Sequence, residues 1–127
     1  MLVFDTNFLI SFLKGDEAAK RKLESYNEPI TTTAINAFEL LYGYHFVKDR
    51  KAVEKAMGLL NSISTLTFDL ESSEIAASIA ADLARGGKML EHMDILMAAI
   101  ALKHGAGLVT RNVRHLSRIS KLTIESW

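Results

Sequence analysis

Two carboxylates and one carboxamide fall where short apolar runs and helical segments meet, and a third carboxylate lies inside a helical segment. Asp5 directly follows Leu2-Val3-Phe4, Asp94 opens a helical segment, and Asn112 comes just after Leu108-Val109-Thr110. Glu39 lies inside Ala37-Phe38-Glu39-Leu40-Leu41, an apolar helical stretch where a carboxylate needs a partner or an exposed position. Brought together, three carboxylates would repel one another in a low-dielectric cleft. A hard divalent cation, Mg²⁺ or Mn²⁺, removes that conflict, because it takes oxygen ligands and completes its shell with waters and phosphate oxygens. Each residue also has a purely structural role open to it. Asp5 can cap the first helix, Asp94 can meet the positive end of a helix dipole, and Asn112 can cap the helix that follows it.

The elements that must position these side chains are marked by periodicity and by breaks. Leu2-Val3-Phe4 reads as a strand, with Thr6 and Asn7 as caps for a helix through Phe8–Leu13. Gly15-Asp16 ends that helix and 17–25 reads as a second, charged one. Pro29–Thr32 is β-branched and short, a second strand with Pro at its first position. Apolar residues at helical spacing then run through 33–47 and 49–60. Leu66-Thr67-Phe68 is the expected third strand, followed by a helix over 70–85 that Gly86-Gly87 stops. A helix over 92–104, a strand at 108–110, a short helix around 112–118 and a strand near 122–125 complete the chain. This alternation predicts α/β architecture around a mainly parallel central sheet of four to five short strands. In such sheets ligands bind beyond the carboxyl ends of the strands, where Asp5 and Asn112 fall.

The 127 residues fit one domain, expected to span 1–127, without internal repeat or linker. The absence of cysteine excludes disulfide scaffolds, thiolate zinc sites, iron–sulfur clusters and thiol catalysis. Met1-Leu-Val-Phe-Asp5 lacks a basic leader and meets a carboxylate at once, a poor signal peptide. No apolar run approaches the ~20 residues that span a bilayer, so a soluble, cytoplasmic protein is expected. Lys+Arg and Asp+Glu balance at 15 each, yet the halves differ. Residues 1–94 hold 10 basic and 14 acidic side chains, whereas 95–127 hold 5 and 1. Zero net charge therefore leaves a local polyanion site open.

Four segments together resemble PIN-domain motifs: Phe4-Asp5-Thr6-Asn7-Phe8-Leu9-Ile10, Ala34-x-x-x-Phe38-Glu39-Leu40-x-x-Gly43, Asp94-Ile95-Leu96-Met97-Ala98-Ala99-x-Ala101 and Leu108-Val109-Thr110-Arg111-Asn112-x-x-x-Leu116. Their order and spacing resemble VapC-type toxin ribonucleases across essentially the whole chain. The resemblance implies a three-layer α/β/α fold and a Mg²⁺- or Mn²⁺-dependent endoribonuclease. By that resemblance Asp5, Glu39 and Asp94 match the family's acidic metal-site positions. Asn112 matches a fourth position that is often Asp, which leaves three formal charges rather than four and puts a second metal in question. Thr6 and Thr110 match hydroxyl positions beside the site, and Glu91 is a further outer carboxylate candidate. Asp5 and Asp94 would hold the cation directly, with Glu39 as ligand or general base and Asn112 orienting from outside. The resemblance also implies an RNA substrate, a homodimer partner and a small antitoxin whose tail covers the site.

Arg111, Arg114 and Arg118 are candidate RNA contacts, set against the simpler reading of a solvated helix face. The aromatic residues Phe38, Tyr42, Tyr44 and Phe46 point in more than one direction, and any left outside would suit a partner. His45, His92, His104 and His115 are scattered and pair with no nucleophile, so histidine-driven cleavage is not expected. Two other readings remain open: a catalytically silent PIN module that binds RNA or protein, and a receiver- or flavodoxin-like module. The second lacks both a phosphate loop after the first strand and adjacent acids before the acceptor strand.

Overall fold

A computed structural model describes residues 1–127. Five short strands pair, all in parallel, in the order β3-β2-β1-β4-β5. They are β1 (Leu2–Phe4), β2 (Thr31–Thr33), β3 (Ser64–Leu66), β4 (Gly107–Val109) and β5 (Ile124–Glu125). Helices α1 (Thr6–Leu13), α2 (Glu17–Glu24), α3 (Ala34–Phe46) and α4 (Arg50–Ser62) lie between the first three strands in sequence. Helices α5 (Leu70–Arg85), α6 (His92–Lys103) and the single-turn α7 (Val113–Leu116) follow.

The side-chain alternation of β1 and β4 divides the interior into two halves. Val3 and Leu108 point into a cluster with Ile95, Ala98, Ala99, Leu116 and Ile119, contributed by α6, α7 and the turn after it. Phe4 and Val109 point the other way, onto Phe8, Leu9, Leu40 and Ala56 of α1, α3 and α4. This is the expected α/β/α layering, with the sheet buried on both faces. Helix α6 carries six buried residues in seven, Ile95 and Met97–Ala101. It is apolar nearly all round because it lies inside, and Ala98, Ala99 and Ala101 let its neighbours come close. Each large apolar side chain buried this way contributes about 1.5–3 kcal/mol.

The strand order reverses at β1: the chain moves outward through β2 and β3, then returns to the other side of β1 at β4. The register Phe4↔Val109 sets Asp5 beside Thr110 just past the carboxyl ends of both strands. Open parallel sheets form their ligand crevice at such a reversal.

Several boundaries differ from those expected. The first helix is capped by Asp5, whose Oδ1 accepts from the Phe8 amide at 2.9 Å, rather than by Thr6 or Asn7. The third strand is Ser64–Leu66 and not 66–68. Phe68 packs instead against the α5–α6 core, just ahead of Asp69, which caps α5. Strand β2 begins at Thr31, past Pro29, and its three threonines are buried, Thr32 donating to the Phe4 carbonyl at 2.8 Å. Helix α5 spans the expected 70–85. No helix is long and apolar enough to cross a membrane.

Candidate functional site

Asp5, Glu39, Asp94 and Asn112 each reach the same cleft from a different element. Asp5 is the residue between β1 and α1, where its amide still bonds Val109 and its carboxylate caps the helix. Glu39 projects from the second turn of α3, a helix that Thr33 starts by accepting the Asn36 amide. Asp94 lies in the first turn of α6. Asn112 occupies the cap position of α7 but makes no side-chain cap bond. Its amide donates to Thr110 Oγ1 at 3.0 Å, and its side chain turns to the cleft and donates to Asp94 Oδ2 at 3.4 Å. The structural role expected of Asn112 as a cap is therefore not the one it plays. The cleft, about 110 Å³, is closed below by Asn36 and Met97 and bordered by Thr6 and Thr110.

The floor is a directional chain of hydrogen bonds. Thr33 donates to Asn36 Oδ1 at 2.7 Å; Asn36 Nδ2 donates to Thr6 Oγ1 at 3.1 Å; Thr6 donates to Glu39 Oε1 at 3.0 Å. Asn36 also donates to Met97 Sδ and is only 1% exposed. A carboxylate accepts only, so the Thr6 proton is committed to Glu39, and Thr6 in turn accepts from Asn36. This buried amide was not singled out in the sequence, because its partners lie on three other elements.

The charges conflict. Burial pushes the Asp5 carboxyl above its usual range, against the opposing pull of Thr110, the Phe8 amide and Arg111. Burial likewise raises Glu39 and overcomes the Thr6 bond, with Asp94, Asp5 and Glu91 adding repulsion. Asp94 is raised first by burial and then by Glu91 and Asp5, with His115 opposing. Glu91, exposed at the start of α6, thus acts on both neighbours through its charge.

The donor set is all oxygen, as a hard cation requires. No three of these carboxylates converge closely enough to hold a metal ion as they stand. One or two carboxylates suffice for Mg²⁺, with waters and substrate oxygens completing the octahedron. The residues present therefore fit the cation that the sequence implied.

The three arginines part company. Arg111 stacks its guanidinium 3.6 Å over the Trp127 ring and donates Nε to the Trp127 carbonyl. Arg114 is exposed on α7. Arg118 lines a groove that opens from the cleft and donates to the carbonyls of Lys88 and Met89, at 3.4 Å each. His115 lines that groove too, its Nδ1 2.7 Å from Asn112 Oδ1, so one of the four histidines adjoins the site. Another hollow of about 320 Å³, at the α3–α4 turn beside Tyr44, His45 and Lys48, shares no residue with the cleft.

The PIN domain family matches residues 2–122. The chain is 27% identical over 127 residues to the tRNA(fMet)-specific endonuclease VapC of Shigella flexneri, covering 98% of this chain and 96% of that one. It is 33% identical over 98 residues to Ribonuclease VapC3 of Methanocaldococcus jannaschii, covering 77% and 95%. Among solved structures, DNA-bound VapBC from Salmonella typhimurium superposes with a TM-score of 0.84 at 27% identity, covering 99% of this chain and 97% of that one. Matched along nearly its whole length in sequence and in fold, the chain belongs to the PIN-domain family, in its VapC-type branch.

Proposed function

We propose that this chain is an endoribonuclease that hydrolyses RNA phosphodiester bonds with Mg²⁺ or Mn²⁺, as the toxin of a toxin–antitoxin pair. One observation carries the reading: Asp5, Glu39 and Asp94 share one small cleft at the sheet's reversal point, each with its proton affinity raised by burial, and Glu39 and Asp94 also by neighbouring carboxylates. Such a cluster stores electrostatic cost that a dication and a phosphate-bearing substrate relieve. The VapC ribonucleases it resembles support the substrate class.

Asp5 and Asp94 would hold the cation, which would supply a water of lowered pKa and charge compensation at the scissile phosphate. Glu39, kept as an acceptor by Thr6, orients or deprotonates the attacking water. Asn112 steadies Asp94 from its far side. Thr110, beside Asp5, opposes the rise in that carboxyl's proton affinity. The whole chain, 1–127, works as one catalytic unit in the cytoplasm.

The partners inferred are RNA, a second copy of the chain and a small antitoxin. Phe38, Tyr42 and Phe46 stack along α3 at centroid spacings of 6.0 and 6.1 Å, and each is more than half exposed. An apolar stripe of that kind suits a protein partner.

Incubating the purified protein with structured RNAs in Mg²⁺ or Mn²⁺, then with chelator, tests the reading. Cleavage is expected to stop with chelator and in Asp94→Asn. Cleavage that persists in either overturns the metal mechanism. The Asn112 carboxamide favours a second reading, a silent module that retains RNA without product under every metal tried.

A further inference from the structure

Beyond the carboxylates the cleft does not end. It continues into a groove of about 480 Å³ that shares Asn7, Glu39, Asp94 and Asn112 with it. The far part of the groove runs between the α5–α6 connection and α7. Its lining carries both signs, the carboxylates Glu39, Glu91 and Asp94 together with the guanidinium of Arg118.

Arg118 and His115 are both held by hydrogen bonds. Arg118 spends one terminal nitrogen on the Lys88 and Met89 carbonyls, which pins its guanidinium across the groove mouth and leaves the fork's remaining N–H groups unused. His115 is held by Asn112. Because Asn112 gives its Nδ2 to Asp94, its Oδ1 must accept, so Nδ1 of His115 carries the proton and Nε2 is directed away from the bond. Met89 is 41% exposed at the same place and offers apolar surface with no charge. A guanidinium fork, an imidazole edge and an unoccupied apolar side chain match the phosphate and base of one nucleotide. Neither Arg111, stacked on Trp127, nor Arg114 lines the groove.

We propose that this groove seats the RNA backbone next to the scissile phosphate, with Arg118 as its phosphate contact, His115 Nε2 as a hydrogen-bond acceptor for the base edge and Met89 as a base shelf. The proposal rests on the ribonuclease reading and gives the strand its path: it leaves the carboxylates toward α7, along a groove that Phe38, Tyr42 and Phe46 do not line.

The test compares Arg118→Ala, His115→Ala and Arg114→Ala with the unaltered protein. Cleavage kinetics in Mn²⁺ separate KM from kcat. Anisotropy of a fluorescein-labelled oligouridylate, measured in a Glu39→Gln background that stops turnover, gives Kd against salt. Arg118→Ala is expected to raise KM and Kd about 5- to 20-fold, with kcat within about threefold, and to lower the salt slope by about 0.7. His115→Ala is expected to move KM in the same direction, and Arg114→Ala to change neither. Arg118→Lys is expected to restore the salt slope but only part of the affinity, because it lacks the fork.

If the unaltered protein cleaves RNA and both groove variants bind it as well as before, the groove is not an RNA subsite. That is also the result expected if an acidic protein segment is the true occupant. If the unaltered protein neither cuts nor binds RNA with either metal, the ribonuclease reading fails and takes this proposal with it.

Discussion

Thr6 gives its only hydroxyl proton to Glu39, at 3.0 Å, and accepts in return from a buried amide of Asn36 at 3.1 Å. The pair joins the first turn of α1 to the second turn of α3, so the orientation of Glu39 is set by two elements rather than by its own rotamer.

Thr6→Val removes the proton and keeps the shape. Hydrogen bonds to charged groups are worth about 1.5–3 kcal/mol, so a 10- to 100-fold loss in kcat is expected. Thr6→Ser should restore most of it, since the hydroxyl is what matters. Single-turnover cleavage of one RNA by the three proteins measures this; equal rates for Val and Thr would remove Thr6 from the argument.

The raised carboxyls also set a pH dependence. Glu39 binds its proton more tightly folded than unfolded. A group of that sign supports the fold below its unfolded value, and the support is lost as pH rises through the folded one. Glu39→Gln is therefore expected to melt higher than the unaltered metal-free protein at about pH 8 and equally at about pH 4. The gain is small, about 1–3 °C, because a half-exposed carboxylate is partly screened by water. Saturating Mn²⁺ should erase or reverse the difference at the higher pH. Thermal melts with and without the metal measure both effects.

The Arg111–Trp127 pair predicts a coupling on the fold rather than on RNA. Trp127 packs edge-on to Phe8 at 5.1 Å between ring centres and carries the Arg111 guanidinium on its face. A double-mutant cycle with Arg111→Ala and Trp127→Ala should give about 0.5–1 kcal/mol, the range for exposed cation–π pairs. Urea unfolding of the four proteins measures it, and strict additivity would exclude the pairing.

The stripe on α3 is expected to bind without supporting the fold. Phe46 is 74% exposed, so Phe46→Glu should leave the melting temperature within about 2 °C. It should reduce self-association or capture of a co-expressed antitoxin. Light scattering and co-purification measure this; unchanged assembly in both would move the partner face elsewhere.

Much of this was legible in the residues themselves. Helix α5 could be bounded at 70–85 because its apolar period runs up to Gly86-Gly87, and the structure adds Asp69 as its cap. Asp5 and Asn112 could be found because a parallel sheet directs whatever follows its strands toward one edge. Phe68 misled, because a β-prone aromatic beside Thr67 looks like strand yet packs into the core from a connection. Asn36 and His115 could not be found from sequence. A polar side chain shows its role only when its partners are known: two of Asn36's lie 30 and 61 positions away, and His115's partner Asn112, three residues earlier, reaches the site only through its turn toward Asp94. Asp5 was read as either a cap or a site residue, whereas its carboxylate caps α1 from within the cleft.

That shared carboxylate makes Asp5 a position where chemistry and scaffold can be uncoupled by one particular exchange. Alanine would cost the helix its cap, about 1 kcal/mol, along with the charge. Asparagine caps about as well as aspartate while taking the negative charge away. Its codons differ from those of aspartate by a single G-to-A change. A folded chain with the same outer surface and no cutting activity is therefore one base away. Such a variant supplies an inert twin for holding RNA or a partner in place.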